Sequence, residues 1–599
     1  MAERGTILIL GGTTEGRMAA DVCEAAGQRF FYSTLTAGGE LPLVHGVRLT
    51  GGMTGPELRR FCRERGVRLV VDASHPFAQG LHRSVAESGM PVVRIQRTMP
   101  AHRADVEWCA DLEDAVRRLL CNPPRRLLAL TGVRTIRGLK PYWERHETWF
   151  RILPREESLA AARAEGFPQD RLLFYSTDGT LPSQAREREL MSSLGADAIL
   201  TKESGQSGGY EAKVEAAREL GLRTLVVRAP DYVALMPEPG RVTFVDGPHT
   251  LRRAIERSVP DFFPLHTGLT TGTCATAATK AALLALLGEE TQEVAISLPD
   301  GETLRVEVKQ TNIRSCDGQP TAEAEVRKDW SDDPDVTRGC HIVATVRRVP
   351  RSDGTLRFLQ GEGVGRVTLP GLGIAVGEPA INPVPRQMME AEVRTLTPDA
   401  LDITISVPGG RELAERTFNP RVGVVDGLSI IGTQGIVRPL SNEAFQESIG
   451  RELEVARAIG CDAVGLASGR RGELSLLERE PSLRVIHYGN FVGESLKRAS
   501  RLGFRRVVLG IMIGKAVKLA EGHLDTHSHR VQWNPAFVAK VAGEAGVADA
   551  RQRMEGLTMA RQLLDVMPPA FFQRIRTLCI EACRTAYPEG ELELILLET

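Results

Sequence analysis

GGTTEG (11–16) directly follows the apolar run TILIL and opens a helical pattern. A glycine turn in that place can offer backbone N–H groups to a pyrophosphate at a helix N-terminus, which makes Gly11, Gly12, Thr13 and Glu15 candidate dinucleotide contacts. The loop departs from GxGxxG, and tight strand–helix packing alone would also require its glycines. The next apolar run ends in YSTLTAGG and lacks the acidic residue that usually reads the adenine ribose. Ser33 and Thr34 are the candidates for that contact, and the choice between NADH and NADPH stays open. DASHPFA (72–78) places Asp72 and His75 at the end of another apolar run, and TKESGQSGG (201–209) places Lys202, Glu203 and Ser204 at the end of a fourth. Asp72, His75, Lys202 and Ser204 are the candidate catalytic groups, with a structural His-Pro loop and a helix cap as the alternatives.

The second half carries other polar stretches. GEGVG, inside FLQGEGVGRVTLPGLG (358–373), has the glycines of a common methyltransferase loop, but a strand and a turn follow it where a helix should begin. Its glycines read as turn or close-approach positions. His523, Asp525 and His527 alternate as HLDTH, which would bring all three to one strand face, yet hydrogen-bonding loop residues explain them better than a metal site. DDPD (332–335) reads as a turn and helix cap.

These loops need elements to hold them. From residue 6 to about 258, short apolar runs alternate with amphipathic ones, the pattern of parallel strands with right-handed crossovers. Such sheets bind ligands at the carboxyl ends of their strands. The pattern restarts near residue 125, so the expectation is an α/β N-terminal half with two Rossmann-like parallel-sheet subdomains, about 1–100 and 101–258, with a cleft between them. SVPDFFPLH (258–266) reads as a linker over 259–265. Beyond it, EVAISLPDGETLRVEVKQ (293–310) alternates with period two around Pro-Asp-Gly, a hairpin signal. The C-terminal half, 266–599, is expected to be an α+β module (266–440) followed by an α/β module (441–599).

Composition bounds the function. A chain of 599 residues exceeds one hydrophobic core. A formal net charge of -1 offers no global basic field for nucleic acid. The ten cysteines include no CxxC pair, which argues against zinc fingers and a disulfide framework. MAERGTILILGG enters a strand at once and is not expected to be a signal peptide. No apolar run approaches about 18 residues, so no membrane partner is expected and the reading is cytoplasmic.

Taken together, LILGGTTEGR, VVDASHPFA, LTGVRTI and ILTKESGQSGGYEAK resemble the precorrin-6A reductase family of cobalamin biosynthesis over about residues 5–230. That resemblance implies nicotinamide-dependent reduction of one double bond in a corrin precursor, with Gly11, Gly12, Thr13 and Glu15 at the cofactor and Asp72, His75, Lys202 and Ser204 lining the cleft. TGLTTGTCATAATKAA, DDPDVTRG, GEGVGRVTLPGLGIAVGEPAINPVPR, GLSIIGTQGIVRP, GNFVG and GKAVKLAEGHLDTHS occur in order and resemble the cobalt-precorrin-5B C1-methyltransferase family over about 262–599. That family lacks the common methyltransferase glycine signature, which agrees with the reading of GEGVG.

The second resemblance implies S-adenosyl-L-methionine as methyl donor and a macrocycle rich in carboxylates as acceptor. Arg411, Arg421, Arg438, Lys515 and Lys518 are the candidate carboxylate anchors. Thr270, Thr271, Gly272 and Thr273, at a helix start, are candidates for an anionic group. Gly432, Thr433 and Gly435 are candidates for the methyl donor. The cobalt belongs to the substrate, and no protein metal site is expected. The two implied reactions are consecutive: cobalt-precorrin-5B is methylated to cobalt-precorrin-6A, which is reduced to cobalt-precorrin-6B. NADH is slightly favoured over NADPH, and homo-oligomerisation is left open. The alternative is an active methyltransferase whose N-terminal half only binds a tetrapyrrole or nucleotide.

Overall fold

The computed structural model describes residues 6–36, 41–97, 103–176, 183–205, 209–235, 241–316, 319–350, 353–439, 442–528 and 530–597. The chain divides into two units, one ending at Pro264 and the other beginning at Leu265. Among the described residues no helix is long and apolar enough to cross a membrane.

The described residues of the first unit form twelve strands. In chain order they are β1 (Ile7–Leu10), β2 (Phe30–Thr34), β3 (Gly46–Thr50), β4 (Leu69–Asp72), β5 (Val92–Ile95), β6 (Glu107–Cys109), β7 (Leu127–Ala129), β8 (Thr148–Ile152), β9 (Leu172–Phe174), β10 (Ala198–Lys202), β11 (Arg223–Val227) and β12 (Val242–Val245). They form two six-stranded sheets, β12-β5-β4-β1-β2-β3 and β6-β11-β10-β7-β8-β9. All pairings are parallel. Helices cover both faces, so the central strands are buried throughout and read as unbroken apolar runs such as ILIL and LVVD.

The subdomains are not contiguous in sequence, which corrects the expected division at residue 100 and at 258. After β5 the chain crosses to place β6 at the edge of the second sheet, and after β11 it returns to place β12 at the edge of the first. The helix Pro248–Ser258 follows β12, and Val245, Leu251, Ile255 and Val259 share one core with Ile7 and Val71. Phe262 and Phe263 join that core and are essentially unexposed. The stretch read as a linker is therefore anchored for most of its length. An apolar pattern identifies an element but not the sheet that receives it, so the exchange was not legible.

The second unit begins with the strand Gly268–Leu269 and the helix Thr271–Leu286. That helix is buried on nearly every face, which explains its Ala, Thr and Gly: only small side chains let the surrounding layers approach from all sides. It packs on a five-stranded sheet made of Gln310–Cys316, Gln319–Arg327, His341–Arg348, Leu401–Ser406 and Leu356–Gln360, in that spatial order, with only the last pair parallel. The hairpin forms as read, Glu293–Ser297 against Thr303–Glu307, turning at Gly301 with φ 90°. GEGVG makes a turn: a Cβ on Gly363 would stand 2.0 Å from the Val407 carbonyl oxygen. The α/β part follows, a parallel sheet ordered Val485–His487, Ala463–Ala467, Arg506–Met512, Glu591–Leu597.

Candidate active sites

In both sheets of the first unit the strand order reverses at a central pair, β1/β4 and β7/β10. Loops leaving the carboxyl ends of such a pair part and leave a crevice. At β1, Thr13 caps the helix Thr14–Glu24 by accepting from Gly16 N–H, and its hydroxyl donates to the Ala73 carbonyl at 2.7 Å, joining the two loops of the crevice. Gly11 lies flat against the Tyr32 ring, where a Cβ would stand 2.3 Å from Cζ, and Gly12 takes φ 93° with its N–H donating to the Tyr32 hydroxyl. Beside them Thr34 Cγ2 lies 3.9 Å from the position of a Gly12 Cβ, and Ser33 is buried at the end of β2. The nucleotide candidates therefore cluster, with one change of role. Glu15 pairs with Arg97 at 2.7 Å, so its carboxylate is engaged within the chain.

Asp72 does not face the cleft. It is fully buried and accepts from Arg94 Nη1 at 2.8 Å and from Ser74 N–H at 3.0 Å. Ser74 Oγ meets His82 Nε2 at 3.1 Å, and the Tyr232 ring lies 4.8 Å from the Arg94 guanidinium. Tyr232 belongs to the segment that returns the chain to β12. This is an internal network that ties the returning segment to the first sheet, and it corrects the catalytic assignment of Asp72. Asp on a strand tip gives no sign of direction, and Arg94, sitting in the apolar run VVRI, was the overlooked clue.

His75, Phe77 and Lys202 do come together. The Lys202 ammonium stands 4.9 Å from the Phe77 ring centroid, and Phe77 packs against the core of the second sheet although it follows β4 of the first. His75 Nδ1 accepts from Phe77 N–H at 3.2 Å, which leaves Nε2 as the protonated nitrogen of a neutral ring. The imidazole is open to solvent yet hemmed in by protein. Desolvation, followed by the charges of Arg97 and Lys202, pushes its pKa down to about 4. Lys202 is pushed down to about 8 by burial and by the cations Arg134 and Lys213. Ser204 is buried nearby on the same loop, while Glu203 is spent on Ala229 N–H at 2.8 Å. Residues 206–208 of TKESGQSGG lie outside the described residues. Arg134 and Lys213 were within reach of sequence reasoning, since they stand inside LTGVRTI and GGYEAK.

In the second unit a cleft of about 910 Å³ runs along the loop 429–438 and the helix start at Thr270. Thr270, Thr271, Gly432, Thr433 and Arg438 line it, joined by Arg416, Phe418, Asn419, Phe445, Asn490 and His527. Thr433 and Arg438 are exposed there. At the helix start two of the first N–H groups are already engaged. Gly272 N–H donates to the Ile431 carbonyl at 2.9 Å, Thr273 N–H to Thr270 Oγ1 at 3.1 Å, and Thr273 Oγ1 to the Gly435 carbonyl at 2.6 Å. Gly432, Gly435 and Gly272 serve this seam. A Cβ on Gly432 would stand 2.2 Å from Thr270 Oγ1, on Gly435 2.7 Å from Leu298 Cδ2, and on Gly272 2.6 Å from Pro385 Cγ. All three make close approaches; Gly435, Gly272 and Thr273 lie off the cleft lining, while Gly432 lines it.

The basic candidates separate in the same way. Arg421 is committed internally: Nε to Glu452 at 3.0 Å, Nη1 to Glu473 at 3.2 Å and Nη2 to the Val485 carbonyl at 2.7 Å. Burial raises the Glu452 pKa despite that pair. Arg411 pairs with Asp426 at 2.6 Å on the surface. Lys518 is buried and donates to the Thr526 carbonyl at 3.3 Å. Lys515 donates to the Gly489 carbonyl. Arg438 makes no ion pair among the described residues. Of HLDTH, Asp525 pairs with Arg530 at 2.9 Å, His523 Nε2 lies 3.9 Å from Glu521, and His527 lines the cleft, so the three do not converge. In DDPD, Asp335 takes Lys328 at 2.7 Å and Thr337 N–H at 2.8 Å, a turn built around a buried lysine.

Residues 6–246 match the family model of precorrin-6x reductase CbiJ/CobK, and residues 260–439 match that of CbiD. A cobalt-precorrin-5B C(1)-methyltransferase of Prosthecochloris aestuarii is 42% identical over 351 residues, which cover 56% of this chain and 94% of the relative. That of Geobacillus thermodenitrificans is 42% identical over 331 residues, 53% of this chain and 87% of the relative. Among solved structures, a CobK precorrin-6A reductase aligns with 43% of this chain and 98% of its own, at 23% identity and a TM-score of 0.35. The chain belongs to the cobalt-precorrin-5B C(1)-methyltransferase family and carries, ahead of that CbiD region, a domain of the precorrin-6x reductase CbiJ/CobK family.

Proposed function

We propose that this chain performs two consecutive steps of anaerobic cobalamin biosynthesis: methylation of cobalt-precorrin-5B at C1 by its second unit, then reduction of the resulting cobalt-precorrin-6A by its first. The observation that carries this reading is the presence of both families on one polypeptide, since the product of one is the substrate of the other. S-adenosyl-L-methionine supplies the methyl group and NADH or NADPH the hydride.

The residues present suit those groups. In the first unit the Gly12 turn brings backbone to the carboxyl end of β1, where a pyrophosphate can approach a helix start. His75, Phe77 and Lys202 border the same unit's cleft, and Lys202 gives a polycarboxylate macrocycle a cation that no acid neutralises among the described residues. Orientation of the macrocycle face toward the hydride donor is the main task of such a site. In the second unit Arg438 and Arg416 offer charge on the wall of a cleft that Thr, Asn and Phe side chains also line, together with the acids Asp333, Glu443 and Glu447. Polar anchors at the rim and aromatic faces within would fix one carbon of a flat, anionic ring in line with a methyl group.

The test is an anaerobic assay of the full chain with cobalt-precorrin-5B and S-adenosyl-L-methionine, with and without NADH or NADPH, read by mass spectrometry. One added methyl without a reductant, then two further hydrogens with it, is the expected result. Methylation without reduction under either nicotinamide cofactor would reduce the first unit to a binding module. Joining both units in one chain also raises the local concentration of the intermediate. A trapping enzyme should then capture less of it from the fused chain than from the two halves mixed.

A further inference from the structure

The α/β part of the second unit has a strand-order reversal beside Lys515 and Lys518, two of the basic residues singled out from the sequence. Its sheet order reverses between Ala463–Ala467 and Arg506–Met512, so the chain leaving the first strand through Ser468 and Gly469 parts from the helix Ile513–Ala520 that leaves the second. The carboxyl end of such a pair is where parallel sheets accept ligands. Two glycines stand there, Gly469 and Gly514, and neither has any atom within 4 Å of where a Cβ would be. Glycines deeper in the same layer are packed: a Cβ would lie 2.9 Å from Leu483 at Gly465, 2.9 Å from Leu597 at Gly472 and 3.2 Å from Leu476 at Gly510. The two glycines at the reversal point, unlike these three, leave the space of a side chain open.

Two lysines flank it without an acid. Lys515 is half-buried, donates to the Gly489 carbonyl and lies 5.6 Å from the Tyr488 ring centroid. Lys518, one turn on, is 7% exposed and reaches the Thr526 carbonyl at 3.3 Å and Ser528 Oγ at 3.5 Å. Neither makes an ion pair among the described residues. The acids nearby are engaged elsewhere: Glu521 with Asn534 at 2.7 Å, Asp525 with Arg530 at 2.9 Å, and Glu473 with Arg470 and His487 at 2.7 and 3.1 Å. Two desolvated ammonium groups that also repel one another cost stability, and burial together with Lys518 pushes Lys515 down to about 8. An ammonium has three donors, and the Gly489 carbonyl takes one from Lys515. Gly489 itself lines the main cleft, so the crevice borders the space where methyl transfer is proposed.

We propose that the crevice between Gly469 and Gly514 binds a carboxylate, received by Lys515 as a charge-assisted hydrogen bond with the charge of Lys518 in support. The proposal rests on the methyltransferase reading, which brings two carboxylates to this unit: the amino-acid end of the methyl donor and the acid side chains of the macrocycle. The chemistry is shared, and the experiment separates the sources.

Calorimetric titration of the full chain with S-adenosylhomocysteine and with 5′-methylthioadenosine, which lacks the amino-acid end, is combined with the KM for cobalt-precorrin-5B. If the carboxylate is the donor's, Lys515→Met weakens S-adenosylhomocysteine by about ten- to hundredfold and leaves 5′-methylthioadenosine unchanged. If it is the macrocycle's, S-adenosylhomocysteine binding is unchanged and the KM rises by a similar factor. Lys515→Arg should restore part of either loss. Gly514→Val, whose side chain enters open space, should weaken the same ligand, and it keeps the test valid if Lys515→Met folds poorly. Both ligands unaffected in both variants overturns the proposal. Absence of S-adenosylhomocysteine binding and of methylation in the unaltered chain would instead overturn the underlying reading.

Discussion

Arg94 Nη1 lies 2.8 Å from Asp72 Oδ1, on neighbouring strands of the first sheet, with both side chains withdrawn from water. Removing one member of such a pair strands the other as a buried charge. Asp72→Ala should cost about 3–5 kcal/mol of stability in urea unfolding. Replacing both residues by apolar ones of similar size, Asp72→Leu with Arg94→Met, should recover much of that loss. An Asp72→Ala chain that keeps its stability and loses only reductive turnover would return Asp72 to the catalytic list.

Lys202 gives the reductive step a defined pH dependence. Its pKa of about 8 means that the ammonium is present at neutral pH and is lost as pH rises through about 8. If that charge receives the anionic macrocycle, kcat/KM for reduction falls along the same limb, and Lys202→Met removes the limb together with much of the activity. The stability effect has the opposite sign. The folded value lies below the ordinary 10.5, so folding is penalised below about 8 and relieved progressively up to 10.5. Lys202→Met should therefore raise the Tm at pH 7. His75, held at about 4, is neutral throughout this range, and a limb near its ordinary 6.5 that vanishes in His75→Gln would contradict the placement.

Gly432 adopts φ 151° and admits the Thr270 hydroxyl where a side chain would stand. Gly432→Ala should push the loop 429–435 off the start of the helix Thr271–Leu286, at a cost of about 1–3 kcal/mol. Thr270→Val removes the cap on Thr273 N–H and should cost about 0.5–2 kcal/mol. Both losses appear as a lower Tm with ligands absent. A Gly432→Ala chain that unfolds normally but no longer binds S-adenosylhomocysteine would assign the glycine to the donor site.

Much of this architecture was legible because the governing signals are local. Unbroken apolar runs such as ILIL mark strands covered on both faces, and the period-two pattern around Pro299-Asp300-Gly301 fixed a hairpin. What escaped was whatever depends on partners distant in sequence. The exchange of β6 and β12 between sheets leaves no mark on those segments, because either sheet could bury them. Glycines posed the same problem: Gly432 and Gly435 have the composition of a ligand loop, and only the structure shows how closely they approach Thr270 and Leu298. The basic residues were hardest of all, since an arginine's type says nothing about whether an acid already holds it.

Arg421 and Arg438 put that last distinction to the test. Arg421 serves Glu452, Glu473 and the Val485 carbonyl, linking the turn at 419–422 to the parallel-sheet part of its unit. Glu452 is 3% exposed, so Arg421→Met leaves it without its main counter-charge and should cost about 3–5 kcal/mol. Reduced methylation in that variant should follow the folded fraction, with the KM for cobalt-precorrin-5B nearly constant. Arg438 is exposed on the cleft wall and pairs with no acid among the described residues. Arg438→Met should leave the Tm within about a degree, because an exposed charge with no partner contributes little to folding. It should raise the KM for cobalt-precorrin-5B by about tenfold, the worth of one charge-assisted hydrogen bond. The reverse pattern, a lower Tm for Arg438→Met and a raised KM for Arg421→Met, would exchange the two roles and move the macrocycle's anchor away from the loop at 432–438.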